Sequence, residues 1–226
     1  HTYSNTAISL LAIEYKMNGY HMNFASGFTA GSQAVLLAAD RIRAGQSRRA
    51  FAGGYEALSE VLFYGCDLSG WTSPGQSGEG EACLPFDRQR NGFILGEGGA
   101  ILVVEARGAA EARGATIRAE IAGAGSVGAG RASPGNPDLA TAVARAMQLA
   151  LEEADCSPDD VGWICAAANG SAEADAHELA AVEQVFAECG SAVPVSSIKP
   201  LTGETCGAAG PMQLAAACGV LESGRI

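Results

Sequence analysis

A chain of 226 residues, nearly half of them apolar and many of them glycine or alanine, is long enough to bury a sizeable core of helices packed on sheet. Its formal charge of −11 is of the wrong sign for phosphate backbones and anionic lipid headgroups, which excludes nucleic acid and anionic membrane surfaces as partners. No apolar run reaches the roughly 18–20 residues of a membrane span, and the start, His1-Thr2-Tyr3-Ser4-Asn5, has no basic n-region of a signal peptide.

Thr6 to Tyr15 reads as an amphipathic helix and residues 20–26 as a strand. The stretch Asn23-Phe24-Ala25-Ser26-Gly27-Phe28-Thr29-Ala30-Gly31 predicts a strand running through a tight turn into a helix, which spans about Ser32 to Ala44 and stops at Gly45. Such a turn presents a side chain at a helix N-terminus, where the helix dipole would acidify a thiol. The side chain presented is that of Phe28, which has no group able to attack anything.

Arg49 to Ala52 is a short strand leading into Gly53-Gly54-Tyr55-Glu56, and residues 57–70 are helical or irregular. Thr72 to Ala82 is polar and rich in Gly, Ser and Glu, hence a loop. A glycine turn, Gly96-Glu97-Gly98-Gly99, precedes a strand from Ala100 to Glu105 and a helix around Ala106–Arg113. Gly96 and Gly98 could suggest a phosphate cradle, but a lone Gly-x-Gly is a weak signal and a backbone turn is the plainer reading. Residues 117–124 read as a strand, Gly125 to Gly135 as a glycine-rich loop, and Asp138 to Ala154 as a strong helix. After a turn at Ser157-Pro158-Asp159-Asp160 come a strand (Val161–Ala166), a helix (Glu173–Cys189), a strand (Pro194–Ile198), and a turn with a final helix to Gly224. Alternating strands and helices predict an α/β fold with parallel strands.

An internal repeat supports this. Ala30-Gly31 opens a helix that ends at Gly45, and Ala209-Gly210 opens one that ends at Gly224, with the same glycine-to-glycine interval. Both helices are apolar on nearly every face, which predicts burial all round and a duplicated α/β unit.

The seven cysteines, Cys66, Cys83, Cys156, Cys165, Cys189, Cys206 and Cys218, are odd in number and form no Cys-x-x-Cys pair. They read as free thiols of a reducing cytoplasm rather than as a zinc site or a disulfide framework. His1, His21 and His177 are too scattered to suggest a metal site.

Three blocks carry a family resemblance. Leu84-Pro85-Phe86-Asp87-Arg88-Gln89-Arg90-Asn91-Gly92-Phe93-Ile94-Leu95-Gly96-Glu97-Gly98 resembles the Pro-Phe-Asp…Arg-x-Gly-Phe…Gly-Glu-Gly block of the β-ketoacyl synthases of the thiolase-like superfamily. Val195-Ser196-Ser197-Ile198-Lys199-Pro200-Leu201-Thr202-Gly203-Glu204-Thr205-Cys206-Gly207-Ala208-Ala209-Gly210 resembles their Ser-x-Lys…Thr-Gly-His…Gly-Ala-Ala-Gly block, with Gly207 and Gly210 as turn glycines. The turn at Phe28, with Ile42-Arg43-Ala44-Gly45 and Ala52-Gly53-Gly54 beyond it, is the third, and together the blocks span almost the whole chain.

The resemblance implies a thiolase-like fold of two related α/β halves in a layered αβαβα arrangement, here a partial chain, with residues 1–117 in the first half and 118–226 in the second. It also implies where the family's cysteine and two histidines would fall. The cysteine falls at Phe28, the histidine of His-Gly-Thr at Asn169, and that of Thr-Gly-His at Glu204. The family lysine is kept as Lys199 and its helix carboxylate as Glu178, across a connection about two residues shorter than usual. A phenylalanine accepts no acyl group, an asparagine shuttles no proton near neutral pH, and a carboxylate opposes a developing oxyanion.

This pattern is similar to the chain length factor, or ketosynthase β subunit, of type II polyketide synthases, although many of those carry glutamine where this chain has Phe28. The resemblance implies a heterodimer with a cysteine-bearing ketosynthase that condenses malonyl units. The substrate arm would be the phosphopantetheine of an acyl carrier protein, with no bound cofactor or metal. The strand around His21–Ala25 would pair across the dimer axis, because an unpaired edge needs a partner. An acidic subunit is a poor dock for acidic carriers, so the carrier would dock mainly on the partner.

Phe28 has two open roles, filling the core or gating the tunnel. The rival reading is an enzyme active in its own right through another nucleophile. Ser26 and Cys206 are the candidates, the latter read first as a buried structural thiol. His177 reads as a solvated or capping histidine.

Overall fold

The computed structural model describes residues 5–74, 80, 82–130 and 138–226. The centre of the first half is a pair of strands. β1 (Arg49–Glu56) and β2 (Gly98–Glu105) pair along their full length, from Arg49 opposite Glu105 to Glu56 opposite Gly98. Alternation along the pair decides its faces. Ala50, Ala52, Leu102 and Val104 pack with Val35 and Ala38 of helix α2 (Ala30–Arg43), while Phe51, Tyr55, Ile101 and Val103 are exposed on the other side. The predicted strand over 49–52 thus runs on through both glycines.

This pair is antiparallel, which corrects the parallel expectation. After β1 the chain goes out through α3 (Glu60–Leu68) and returns through the 93–96 segment, so β2 begins beside the end of β1. The parallel arrangement is found between β3 (Ile164–Cys165) and β4 (Val195–Ser196), which flank helix α6 (Ala172–Phe186) as a crossover.

Two predicted strands have no ladder among the described residues of this chain. Residues 20–26 follow helix α1 (Thr6–Glu14) with no ladder, and His21, Met22 and Asn23 are exposed. A strand is defined by its neighbour, and no described segment of this chain pairs with this one. Residues 117–124, after α4 (Arg107–Ala112), also lack a ladder; Ile121 O accepts from Arg43 at 3.0 Å and Ala124 N donates to Glu153 at 2.7 Å, so side chains take bonds a strand would give to a neighbour. Much of the predicted 72–82 loop and the end of the 125–135 loop lie outside the described residues.

The helix predicted from Asp138 to Ala154 is α5, with those bounds, and it packs along α6. The internal repeat is real in three dimensions. A 3-10 turn, Gly27–Thr29, feeds α2, which ends at Gly45 with φ +70°; a 3-10 turn, Cys206–Ala208, feeds α8 (Ala209–Ser223), which ends at Gly224 with φ +65°. A left-handed residue stops each helix, and glycine reaches that conformation without the Cβ penalty. The two turns sit against each other so closely that a Cβ on Gly31 would fall 2.3 Å from Gly207 O. Burial all round, however, does not hold. In α2 the buried residues Gly31, Val35, Ala38 and Ala39 form one face, and α8 buries Ala209 and Pro211 while Leu221 is exposed. Within this chain α8 packs on α2 and the β1–β2 pair, and its Gln213 donates to Ala166 O at 2.7 Å, but much of its surface stays exposed.

Candidate functional site

The short helix α7 (Lys199–Thr202) and the turn after it bring the retained lysine back onto the acid five residues later. Lys199 Nζ donates to Glu204 Oε2 at 2.6 Å, Asn169 Nδ2 donates to the same oxygen at 2.7 Å, and the Cys206 backbone N–H donates to Glu204 Oε1 at 2.9 Å. Glu204 is 1% exposed, and Lys199 and Asn169 are buried with it. The backbone of Glu204 is fixed as well: its N–H donates to Ile94 O at 2.7 Å and its carbonyl accepts from Gly96 N at 3.0 Å. Asn169, distant in sequence, thus joins Lys199 and Glu204 in one buried cluster, as charge burial requires.

A second buried acid holds the loop that carries Asn169. Asp175 lies in the first turn of α6 and is wholly buried. It accepts backbone N–H bonds from Phe86 at 2.9 Å, Asn169 at 3.1 Å and Gly170 at 3.2 Å. Phe86 has φ +62°, a left-handed conformation costly for a phenylalanine, and the bond to Asp175 holds it there. Asp175 therefore ties the Pro85-Phe86-Asp87 corner to the Asn169-Gly170-Ser171 turn.

Phe28 sits in the 3-10 turn before α2, 42% exposed, with its ring 6.2 Å from Trp71 and 6.3 Å from Phe93. That turn packs against the turn Cys206–Ala208 that follows Glu204. The hydrophobe at the head of one helix and the acid before the other are therefore neighbouring parts of one region.

Two family models match this chain. "Beta-ketoacyl synthase, N-terminal domain" covers residues 1–110 and "Beta-ketoacyl synthase, C-terminal domain" covers residues 118–226. The chain belongs to the beta-ketoacyl synthase family. It is 34% identical over 203 residues to the tetracenomycin polyketide synthase ketoacyl synthase alpha subunit of Streptomyces glaucescens, covering 89% of this chain and 48% of that one. Among solved structures it is similar to the ishigamide ketosynthase/chain length factor, with 31% identity, TM-score 0.86, and coverage of 96% of this chain and 52% of that one. It is also similar to a type II PKS ketosynthase solved with its acyl-carrier protein and a bound hexaketide, with 32% identity, TM-score 0.87, and coverage of 96% and 53%. The fold is thiolase-like, and the chain spans about half the length of the curated relatives it matches.

The other residues singled out in this ketosynthase-family chain find these places. Glu178 accepts from Ala167 N at 2.7 Å; burial pushes its carboxyl above the usual range, against the pull of that N–H and of Lys199. Of the four glycines read as turns, Gly96 and Gly207 lie outside regular helix and strand, Gly96 so close to the turn after Lys199 that a Cβ would fall 2.0 Å from Thr202 O. Gly98 instead opens β2, and Gly210 lies in the first turn of α8, where a Cβ would meet Ser32 Oγ at 1.9 Å. Neither of these two sits in a turn between elements, and at Gly210 it is packing that excludes a Cβ.

Neither alternative nucleophile is armed. Burial, then the charges of Glu204 and Glu56, push the Cys206 thiol up to about 12. Ser26 Oγ donates to Gln33 Oε1 at 2.7 Å, an amide and not a base. His177 is half-buried: its Nδ1 is shielded from solvent, with no hydrogen-bond partner among the described residues. Among the described residues no group of His, Cys, Asp and Glu is arranged to hold a metal ion, and no helix is long and apolar enough to cross a membrane.

Sequence reading missed Asp175, Trp71 and Phe93. Asp175 carried a signal, an acid in the first turn of a predicted helix six residues after Asn169. The two aromatics carried none, since only the fold brings them to Phe28.

Proposed function

We propose that this chain is the catalytically inactive subunit, the chain length factor, of a type II polyketide synthase. It pairs as a heterodimer with a cysteine-bearing ketosynthase, and the complex condenses malonyl units on an acyl carrier protein in the cytoplasm. The observation that carries this reading is the Glu204 cluster. At the position the resemblance assigns to a histidine, a buried carboxylate takes the Lys199 ammonium and the Asn169 amide for itself. Donors that could steady a developing oxyanion are thereby spent on a resident anion. Phe28, at the position assigned to the cysteine, supplies no acyl acceptor. The phosphopantetheine arm of the carrier is then a substrate arm for the partner, and the chain's charge of −11 favours docking of an acidic carrier on that partner.

The test is intact-protein mass spectrometry on the full-length protein co-expressed with its ketosynthase and exposed to acyl carrier thioester. The expected result is a one-to-one complex with acyl mass on the partner alone. Acyl mass on this chain overturns the reading in favour of an acyltransferase active in its own right. Cross-linking of the carrier chiefly to this chain overturns the docking part.

A further inference from the structure

Helix α3 is apolar on nearly every side, yet among the described residues no other helix or strand packs along it. Its one buried residue is Cys66, with Leu62 half-buried a turn before it. At 3.6 residues per turn, Val61, Tyr64 and Leu68 fall on a single stripe opposite Cys66. Val61 is 83% exposed and Leu68 86%, and Tyr64 between them is exposed as well. Phe63 meets the Tyr64 ring edge-on at 6.0 Å and, with Leu58 and Glu60, lines a hollow of about 250 Å³ beside the stripe. A helix with so much apolar surface is ordinarily covered, and an uncovered stripe of this kind marks an interaction surface.

The charge around the stripe has one sign. Glu60 and Asp67, seven residues apart, lie along one flank of it, and among the described residues neither is ion-paired. Asp67 accepts from the Thr72 hydroxyl at 2.9 Å, a bond that leaves its charge in place. From Ala50 to Asp87 the sequence holds six acids (Glu56, Glu60, Asp67, Glu79, Glu81 and Asp87) and no lysine, arginine or histidine. We infer that the Val61, Tyr64 and Leu68 stripe docks a second protein whose contacting surface is apolar, with lysine or arginine at its rim. Opposite charge steers such a partner on and turns away acidic ones. A second copy of this chain, at −11 and with the same acids on its own α3, is repelled, and so is an acidic carrier. The site goes beyond the inactive-subunit reading and holds whether or not Phe28 and Glu204 abolish catalysis.

Two synthetic amphipathic helices test this by fluorescence anisotropy on the full-length protein. They share one leucine face, and the other face is lysine in the first and glutamate in the second. The lysine helix is expected to bind and the glutamate helix is not. Val61→Ser and Leu68→Ser, whose side chains stand in solvent, should each weaken the lysine helix by about tenfold. Glu60→Lys should weaken it and flatten its salt dependence, while Leu221→Ser, exposed on α8, should leave it unchanged. Equal binding by the wild type and both serine variants overturns the site, because it reports only general attraction to an acidic chain. A glutamate helix bound as tightly overturns the basic partner. Two further outcomes place a different occupant on the stripe and also overturn the proposal. One is self-association that Leu68→Ser abolishes, which puts a second copy there. The other is a Val61→Cys variant that maleimide does not label at position 61 while the exposed Cys156 is labelled, which means that the same polypeptide covers α3. None of these results bears on where acyl mass appears, so this site and the inactive-subunit reading fall separately.

Discussion

Lys199 Nζ stands 2.6 Å from Glu204 Oε2, with the two side chains 6% and 1% exposed, so that the lysine the resemblance marks as kept is bound to the residue at the position the resemblance assigns to a histidine. The two residues belong together. A buried lysine without a counter-charge is costly, and Glu204 supplies one while Asn169 and the Cys206 N–H donate to the same carboxylate. The cluster is a self-contained ion pair, built for structure.

Removing one member should therefore cost much more than removing both. Glu204→Leu is expected to destabilise the protein by about 3–5 kcal/mol, since it strands the Lys199 ammonium. The double variant Glu204→Leu with Lys199→Met should recover most of that loss. Denaturant unfolding of the three proteins decides it; equal destabilisation by the single and double variants would sink the argument.

Asp175 should be intolerant of its own isostere. Oδ2 accepts from both Phe86 and Gly170, so the amide of Asp175→Asn turns a donor toward two donors or forfeits Oδ1 and Asn169. The expected loss is at least about 2 kcal/mol, with Phe86 relaxing out of its left-handed conformation. Thermal unfolding checks the first part and a crystal structure of the variant the second.

Glu105 lies between Arg113 and Arg49, whose hydrogen bonds hold its carboxyl down to about 2 from 4.5. A carboxyl whose pKa is lower in the folded state stabilises the fold at pH above the unfolded value, and that contribution is lost as pH falls through the folded one. Acid unfolding should thus steepen between pH 4.5 and about 2, and Glu105→Gln should flatten that window while lowering stability at neutral pH. A variant with the wild-type acid profile would show that the clamp is idle.

Restoring the thiol alone should not restore chemistry. Phe28→Cys returns a nucleophile to the head of α2, but Asn169 and Glu204 still offer neither a proton shuttle nor oxyanion stabilisation. Condensation in a complex whose partner cysteine has been removed should stay at background. Any turnover above that background would mean that the Glu204 cluster is not the obstacle.

The sequence was most legible where structure is local. The apolar period and the helix former content from Asp138 to Ala154 placed α5 to the residue, and paired stop glycines marked the ends of α2 and α8. That Phe28, Asn169 and Glu204 stand where the resemblance puts a cysteine and two histidines could be read from the blocks around them. What was not legible depended on neighbours. The 20–26 and 117–124 segments have strand-like composition without a ladder in this chain, and β1 and β2 pair antiparallel because of the route between them.

By itself, then, the sequence determined the family, the positions of the main helices, the duplicated turn-and-helix unit, and the absence of an attacking group at Phe28. Capping, periodicity and side-chain chemistry are settled within a few residues, so one dimension suffices for them. Only the tertiary structure decided that Glu204 answers to Lys199 and Asn169, that Asp175 joins two distant corners, and that Trp71 and Phe93 close around Phe28. A buried charge takes its meaning from whichever group is folded against it, and a ring from whatever fills the space beside it.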